Sequence, residues 1–261
     1  MRVLVLGAGK MVEAILTGLK TTMEMHEWMI YSPSGKSAAQ VASLAGCRAV
    51  SDLKNIPAPD WIILGCKPQQ IDSVKETIGD LFKDNLFVSI LAALSEEQQM
   101  KKLGVSKLIR VMPNLPVEFN DGVCLMSSAS ANDRLDSFQK LFARLGDAVI
   151  VKEEELEELT LLTGSGPAFF YEFTSMLAQS FTSLDEGQRE RLARHVLSGA
   201  AITSGQKNRP LSDLINDVTS KGGVTIKVLE GLRESNLDKL IQKAVEGGKK
   251  RSLEIRENLQ N

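Results

Sequence analysis

The chain has 261 residues, 43% hydrophobic and 25% charged, with a formal net charge of −2. That length accommodates two modest domains, each with its own core, in a composition ordinary for a globular protein. The near-neutral balance argues against nucleic-acid and membrane-surface partners, and apolar runs of only strand length argue against a bilayer span.

The first predicted strand, Val3–Leu6, begins at once, so no leader peptide is expected. It stops on Gly7-Ala8-Gly9, and from Met11 to Leu19 apolar residues recur at helical spacing. A strand, a glycine turn and a helix in that order make an anion site. Gly7 permits a tight turn, Gly9 lets the backbone approach a pyrophosphate, and N–H groups at the helix start face the phosphate charge. The expectation is a dinucleotide. The fingerprint is incomplete at its third position, where Val12 replaces the Gly or Ala that normally lets helix and strand pack closely.

The second strand, Trp28–Tyr31, runs into Ser32-Pro-Ser34-Gly-Lys36-Ser37. A site that prefers NAD usually places Asp or Glu here to hold the ribose hydroxyls. With no carboxylate present, Ser32, Ser34 and Lys36 point to a 2′-phosphate and hence to NADP. The alternative is a polar turn that caps the helix predicted over Lys36–Leu44. Strands over Arg48–Val50 and Trp61–Leu64 follow, the latter ending Gly-Cys-Lys67-Pro68-Gln69. Pro68 suits a helix start. Lys67 falls near the carboxyl edge of the sheet, where a cofactor passes, or else it is an exposed loop lysine.

Further strands are expected over Phe87–Leu91, Leu108–Met112, Val123–Met126 and Ala148–Val151. Helical patterns separate most of them, over Gln69–Phe82, Ser95–Leu103 and Asp133–Leu145. This alternation predicts an α/β, Rossmann-type, doubly wound and mostly parallel sheet over residues 1–152, with its ligand at the carboxyl ends of the strands.

From residue 153 to 261 the strand patterns vanish, and an all-α domain is expected. Its helices fall over Glu154–Phe181, Glu186–Ser204, Leu211–Val218, Val224–Glu234 and Leu237–Asn258. The acidic run Lys152–Glu158 reads as a solvated first turn or a hinge. Gly164, Gly166 and Pro167 interrupt the first pattern, and such residues cost helix stability. A kink or close helix contact in a bundle or dimer is the favoured reason, and backbone approach to a ligand is the other. Ser220-Lys-Gly-Gly223-Val224-Thr225 lies between two helical patterns. It reads as a carboxylate site at a helix start or, more simply, as a helix C-cap followed by an N-cap. Cys47, Cys66 and Cys124 are odd in number and widely spaced, which fits reduced packing residues of a cytoplasmic protein. His26 and His195 do not cluster with them, so no metal is expected.

Taken in order, GAGKM, CKP, RVMPNLP, TGSGPAF and VTSKGGVTI resemble pyrroline-5-carboxylate reductase across nearly the whole chain. The resemblance implies a Rossmann domain followed by a helical domain that interlocks in a homodimer, sometimes in a ring of dimers. It implies reduction of the cyclic imine carboxylate 1-pyrroline-5-carboxylate to L-proline with NADPH or NADH. By motif, Gly7, Gly9, Lys10 and Met11 should meet the cofactor phosphates, and Ser32, Ser34 and Lys36 the adenosine ribose. Lys67, Pro68 and Asn114 should lie toward the nicotinamide. Ser220, Gly223, Val224 and Thr225 should hold the substrate carboxylate, which displaces the simple capping reading. The cofactor supplies the hydride, so neither a protein nucleophile nor a metal is needed. No histidine lies in a motif, which leaves water or the Thr225 hydroxyl as proton source and makes Thr225 the candidate catalytic residue.

Four departures stand against the family pattern. Val12 fills the nucleotide turn, Leu115 replaces a threonine, Lys221 replaces a proline, and Val224 stands where Ala or Thr is usual. Gln179-Ser180-Phe181 also replaces small and acidic residues. Three alternatives follow: a reductase of a related six-membered imine acid, a β-hydroxyacid dehydrogenase, or a nucleotide-binding regulator without activity. The second uses a lysine on the long helix, and Gly164–Gly187 contains none.

Overall fold

Short runs of β-branched and large apolar residues, flanked by glycine or polar turns, become the eight strands of one sheet. In the computed structural model, which describes residues 1–25 and 27–258, the strands are β1 Val3–Leu6, β2 Trp28–Tyr31, β3 Arg48–Ala49, β4 Trp61–Leu64, β5 Leu86–Ser89, β6 Lys107–Pro113, β7 Gly122–Ser127 and β8 Gly146–Ile150. His26 lies outside the described residues, so the expectation about its surroundings stops there. The sheet order is β3-β2-β1-β4-β5-β6-β7-β8. Every pairing is parallel except β6 with β7, where Val111 faces Met126. The doubly wound, mostly parallel sheet expected from the alternation is therefore present.

Parallel strands are covered on both faces, so both sets of alternating side chains are apolar. Val3, Val5, Ile30, Ile63 and Ile109 join one core. Its helices are α1 Lys10–Lys20, α2 Gly35–Ala45 and α5 Leu135–Phe142. Leu4, Leu6, Ile62, Leu64 and Phe87 join the other, under α3 Ile71–Ile78 and α4 Glu96–Leu103. The helix read over Gln69–Phe82 is shorter than its pattern. A 3-10 turn at Pro68–Gln70 precedes α3, and Gly79 ends it with a φ of +52°.

The rest of the chain is helical: α6 Glu153–Gln179, α7 Glu186–Lys207, α8 Leu211–Asp217, α9 Val224–Glu234 and α10 Leu237–Asn258. The contacts divide the chain into two compact units, Met1–Ser165 with the stretch from Lys249, and Gly166–Gly248. In the second unit Thr174, Ala178 and Ala193 are buried, whereas Phe170, Tyr171, Phe181 and Val196 are each at least 60% exposed. Large apolar side chains exposed in this way, when contiguous, are typical of interaction faces. Among the described residues no helix is long and apolar enough to cross a membrane.

Candidate active site

The strand order changes direction between β1 and β4, and residues at the carboxyl ends of those strands line a cleft of about 360 Å3. Doubly wound sheets bind ligands at such a switch point. Gly7 leaves β1 with a φ of +118°, and a Cβ there would lie 2.5 Å from the Gly65 carbonyl oxygen. The fold itself therefore demands this glycine. Gly9 is different. Its φ of −84° and ψ of 172° suit any residue, and a Cβ on it would meet no atom within 4 Å. Nothing in the protein requires Gly9 to be glycine, whereas a ligand brought against the backbone would. Gly9 is also the N-cap of α1, with no side-chain bond to the helix. The N–H groups of Lys10 and Met11 have no acceptor within the helix and carry the positive end of its dipole. These residues fit a dinucleotide pyrophosphate.

Ser32 lines the same cleft, joined by Ser37. Ser34 holds the N-cap position of α2, yet its hydroxyl makes no capping bond and instead accepts from the Ser37 hydroxyl at 3.3 Å. Lys36 is exposed in the first turn of α2. Two hydroxyls and an ammonium thus flank a helix N-terminus with no carboxylate in the Ser32–Ser37 segment. On the facing side, the Lys67 N–H donates to Gln70 Oε1 at 3.0 Å, and the Gln70 N–H returns a bond to the Lys67 carbonyl at 2.8 Å. This reciprocal pair fixes the backbone that carries the Lys67 side chain; Lys67 lines the cleft, and Pro68 opens the 3-10 turn beside it. Cys66 also lines the cleft, and burial pushes its thiol up to about 11. It stays neutral and unreactive near neutral pH.

The expected carboxylate loop belongs to the second unit. Gly222 turns with a φ of +73°, and the Gly223 N–H donates to the Ser220 carbonyl at 2.9 Å. A Cβ on Gly223 would lie 2.4 Å from Ser220 Oγ and 3.1 Å from the Ser220 carbonyl oxygen, so a side chain there would turn the Ser220 hydroxyl out of its present place. Gly223 is the N-cap of α9 and has no side-chain cap, which leaves the first N–H groups of that helix open beside Ser220 and Thr225. Lys221, Val224 and Thr225 are exposed.

Asn114 directly follows β6 and is buried. Its Oδ1 accepts from the Val123 N–H at 2.8 Å, and its Nδ2 donates to the Thr163 carbonyl at 3.0 Å. That carbonyl would ordinarily accept from residue 167, four positions on, but Pro167 has no N–H. The Asn114 amide supplies the missing donor, which accounts for a proline inside α6. The acidic run at the start of α6 is not merely solvated, as its composition implied. Glu153 and Glu157 accept from the fully buried Arg110 at 2.7 and 2.6 Å, and Leu156 is buried. Arg110 lies on β6, so the pair ties the first turns of α6 to the sheet.

Sequence reading thus singles out Gly7, Gly9, Ser32 and Lys67 of the cleft but passes over Gly65, Cys66, Ser37 and Gln70. The clue to Gly65 was present in a glycine directly at the end of a predicted strand, paired with the misfit Val12 on the helix opposite. Among the described residues no group of three or more His, Cys, Asp or Glu is placed to hold a metal ion.

Residues 153–255 match the family model for pyrroline-5-carboxylate reductase dimerisation. Residues 2–93 match the model for NADP oxidoreductase, coenzyme F420-dependent. The chain is 27% identical over 265 residues to a pyrroline-5-carboxylate reductase of Staphylococcus epidermidis, with 98% of each chain covered. Its fold is similar to that of a pyrroline-5-carboxylate reductase from Coxiella burnetii, with a TM-score of 0.88, 23% identity and coverage of 97% of this chain and 98% of that one. A pyrroline carboxylate reductase of Plasmodium falciparum, solved with NADP bound, gives a TM-score of 0.82 at 21% identity and covers 98% of each chain.

Proposed function

We propose that the chain is a pyrroline-5-carboxylate reductase, which reduces 1-pyrroline-5-carboxylate to L-proline, the last step of proline biosynthesis, and prefers NADPH to NADH; the two family models and the likeness to reductases over nearly the whole chain support this reading. The observation that carries this reading is Gly9, a glycine at a helix N-cap that no atom of the protein requires. It supports a pyrophosphate held by Gly7, Gly9, Lys10 and Met11. The hydroxyls of Ser32 and Ser34 and the Lys36 ammonium support a 2′-phosphate, since a cation and donors replace the carboxylate that would repel it.

The nicotinamide, when bound, supplies the hydride. The task left to the chain is orientation and charge. Lys67 and Pro68 line the way to the nicotinamide, and Asn114 acts there through the backbone it holds. Ser220, Gly223, Val224 and Thr225 offer the imine's carboxylate the open N–H groups and hydroxyls at the start of α9, where the helix dipole favours an anion. Holding that carboxylate fixes the ring, and a fixed ring turns hydride delivery into an effectively unimolecular step. The imine carbon gains the hydride while the ring nitrogen gains a proton, drawn from water or through the Thr225 hydroxyl. The exposed aromatic residues of the helical unit support a homodimer, and a ring of such dimers is compatible with it. Free thiols at Cys47, Cys66 and Cys124 support a reducing, cytoplasmic setting.

The test follows NADPH absorbance as purified protein meets 1-pyrroline-5-carboxylate, with NADH and a six-membered imine acid in parallel. Oxidation of NADPH by the five-membered ring in preference to the six-membered one is expected. Turnover of the larger ring alone would reassign the substrate, and tight NADPH binding with no turnover of either would remove the reductase reading. Thr225→Ala should lower turnover by at least about ten-fold through poorer substrate placement; unchanged kinetics would take Thr225 out of the site.

A further inference from the structure

Val12 sits where a dinucleotide-binding turn ordinarily needs a small residue, and it is buried. The room it occupies comes from the strand opposite. A Cβ on Gly65 would fall 2.2 Å from Val12 Cγ2, far inside any real contact, with Ile90 Cδ1 at 3.6 Å and the Leu6 carbonyl oxygen at 3.7 Å. The small residue of the turn has in effect moved from α1 to the end of β4. We infer that Gly65 is a positioning residue for the cofactor: its missing side chain seats Val12 and thereby fixes where the first turn of α1 meets the pyrophosphate.

Three features make this more than a packing detail. Valine is β-branched, so within a helix its χ1 is essentially locked and the offending methyl cannot swing aside. A side chain at residue 65 must then displace backbone. The Gly65 backbone has little freedom, since its N–H donates to the Leu6 carbonyl at 2.8 Å. It also lies against the phosphate turn itself: the carbonyl oxygen and carbon of Gly65 and the amide nitrogen of Cys66 stand 2.5, 2.6 and 2.9 Å from where a Gly7 Cβ would project. Displacement therefore reaches either the Gly7–Gly9 turn or the N-terminus of α1, and Gly7, Gly9 and Gly65 all line the cleft.

The inference rests on the reading of this cleft as the NADPH site, and one set of variants separates the two. NADPH dissociation constants, measured by quenching of protein fluorescence, and the KM for NADPH are compared among wild type, Gly65→Ala, Val12→Ala and the double variant. Gly65→Ala should weaken NADPH binding by about ten-fold or more, since sub-ångström misplacement in a preorganised site is costly. The loss should fall on KM more than on kcat. Adding Val12→Ala should restore the affinity of Val12→Ala alone, because alanine removes the methyl groups that clash. Should Gly65→Ala fail to fold, the double variant must still fold and bind NADPH as Val12→Ala does. Wild type that does not bind NADPH would sink the site and the inference together. Wild-type binding with Gly65→Ala unimpaired, or a double variant no better than Gly65→Ala, would overturn the inference alone. A thermal midpoint that recovers while affinity does not would also overturn it, since Gly65 would then serve packing only.

Discussion

The proline in α6 offers a quantitative check on how this fold is held. Pro167 deprives the Thr163 carbonyl of its helical donor, and Asn114 Nδ2 takes that place at 3.0 Å. Asn114→Ala removes two bonds at once, this one and the bond from the Val123 N–H to Oδ1 at 2.8 Å. Pro167→Ala gives residue 167 an N–H, which can reach the Thr163 carbonyl in the ordinary helical way. In the Pro167→Ala background, Asn114→Ala should therefore cost only the Val123 part. The difference between the two costs isolates the Thr163 carbonyl. An unsatisfied buried acceptor costs about 1–3 kcal/mol, and the partial exposure of this segment places the expected coupling near the lower end, about 1–2 kcal/mol. Urea midpoints of the four proteins, read with a common m-value, give the cycle directly. Costs that add to within about 0.5 kcal/mol would show that Asn114 and Pro167 are independent, and the account of this proline would be wrong.

Other outcomes follow from single contacts. Arg110→Met takes the cation away from Glu153 and Glu157, at 30% and 21% exposure, and leaves Glu153 with the Glu96 N–H at 3.1 Å; loss of about 3 kcal/mol in stability is expected, and converting both glutamates to leucine as well should recover most of it, because apolar replacement of a buried ion network is often neutral. A triple variant as unstable as Arg110→Met would refute that reasoning. Burial holds the Cys66 thiol near 11 and that of Cys124 near 12; since the thiolate is the nucleophile, these two thiols should react with iodoacetamide far more slowly at pH 8 in native than in unfolded protein, with the Cys66 rate rising steadily with pH and levelling off only near 11. Labelling of Cys66 at the unfolded rate at pH 8 would contradict its burial. Lys36→Glu should raise the KM for NADPH by about ten-fold or more while sparing NADH, by opposing a 2′-phosphate with like charge; equal losses with both cofactors would remove Lys36 from discrimination. Light scattering should find wild type at least dimeric, and Phe170→Asp, at a ring 62% exposed in the single chain, should shift it toward monomer; a monomeric wild type would leave that apolar surface unexplained.

What could be read from the sequence divides along a physical line. The eight strands and the helices between them carry their signal within a few residues, as apolar runs closed by glycine or proline, and they appear where those patterns fall. Val224–Glu234 is an α-helix over its whole predicted span. Gln69–Phe82 overran because its apolar spacing continues past Gly79, and only the backbone at that glycine, with its φ of +52°, says where the helix stops. The contacts that escaped the reading are those whose partners are remote in the chain. Arg110 lies 43 and 47 residues from Glu153 and Glu157, so a charged residue inside an apolar strand and a run of glutamates gave no sign that each satisfies the other. Asn114 and Thr163 are 49 residues apart; the motifs that carry them were both conspicuous, and neither announced the bond between them. Val12 and Gly65 are the instructive case. Each is a departure when viewed alone, a bulky residue in a glycine turn and a glycine beside a strand. Together they occupy one van der Waals volume, and a steric exchange of that kind can be recognised only once the turn and the strand end are known to touch.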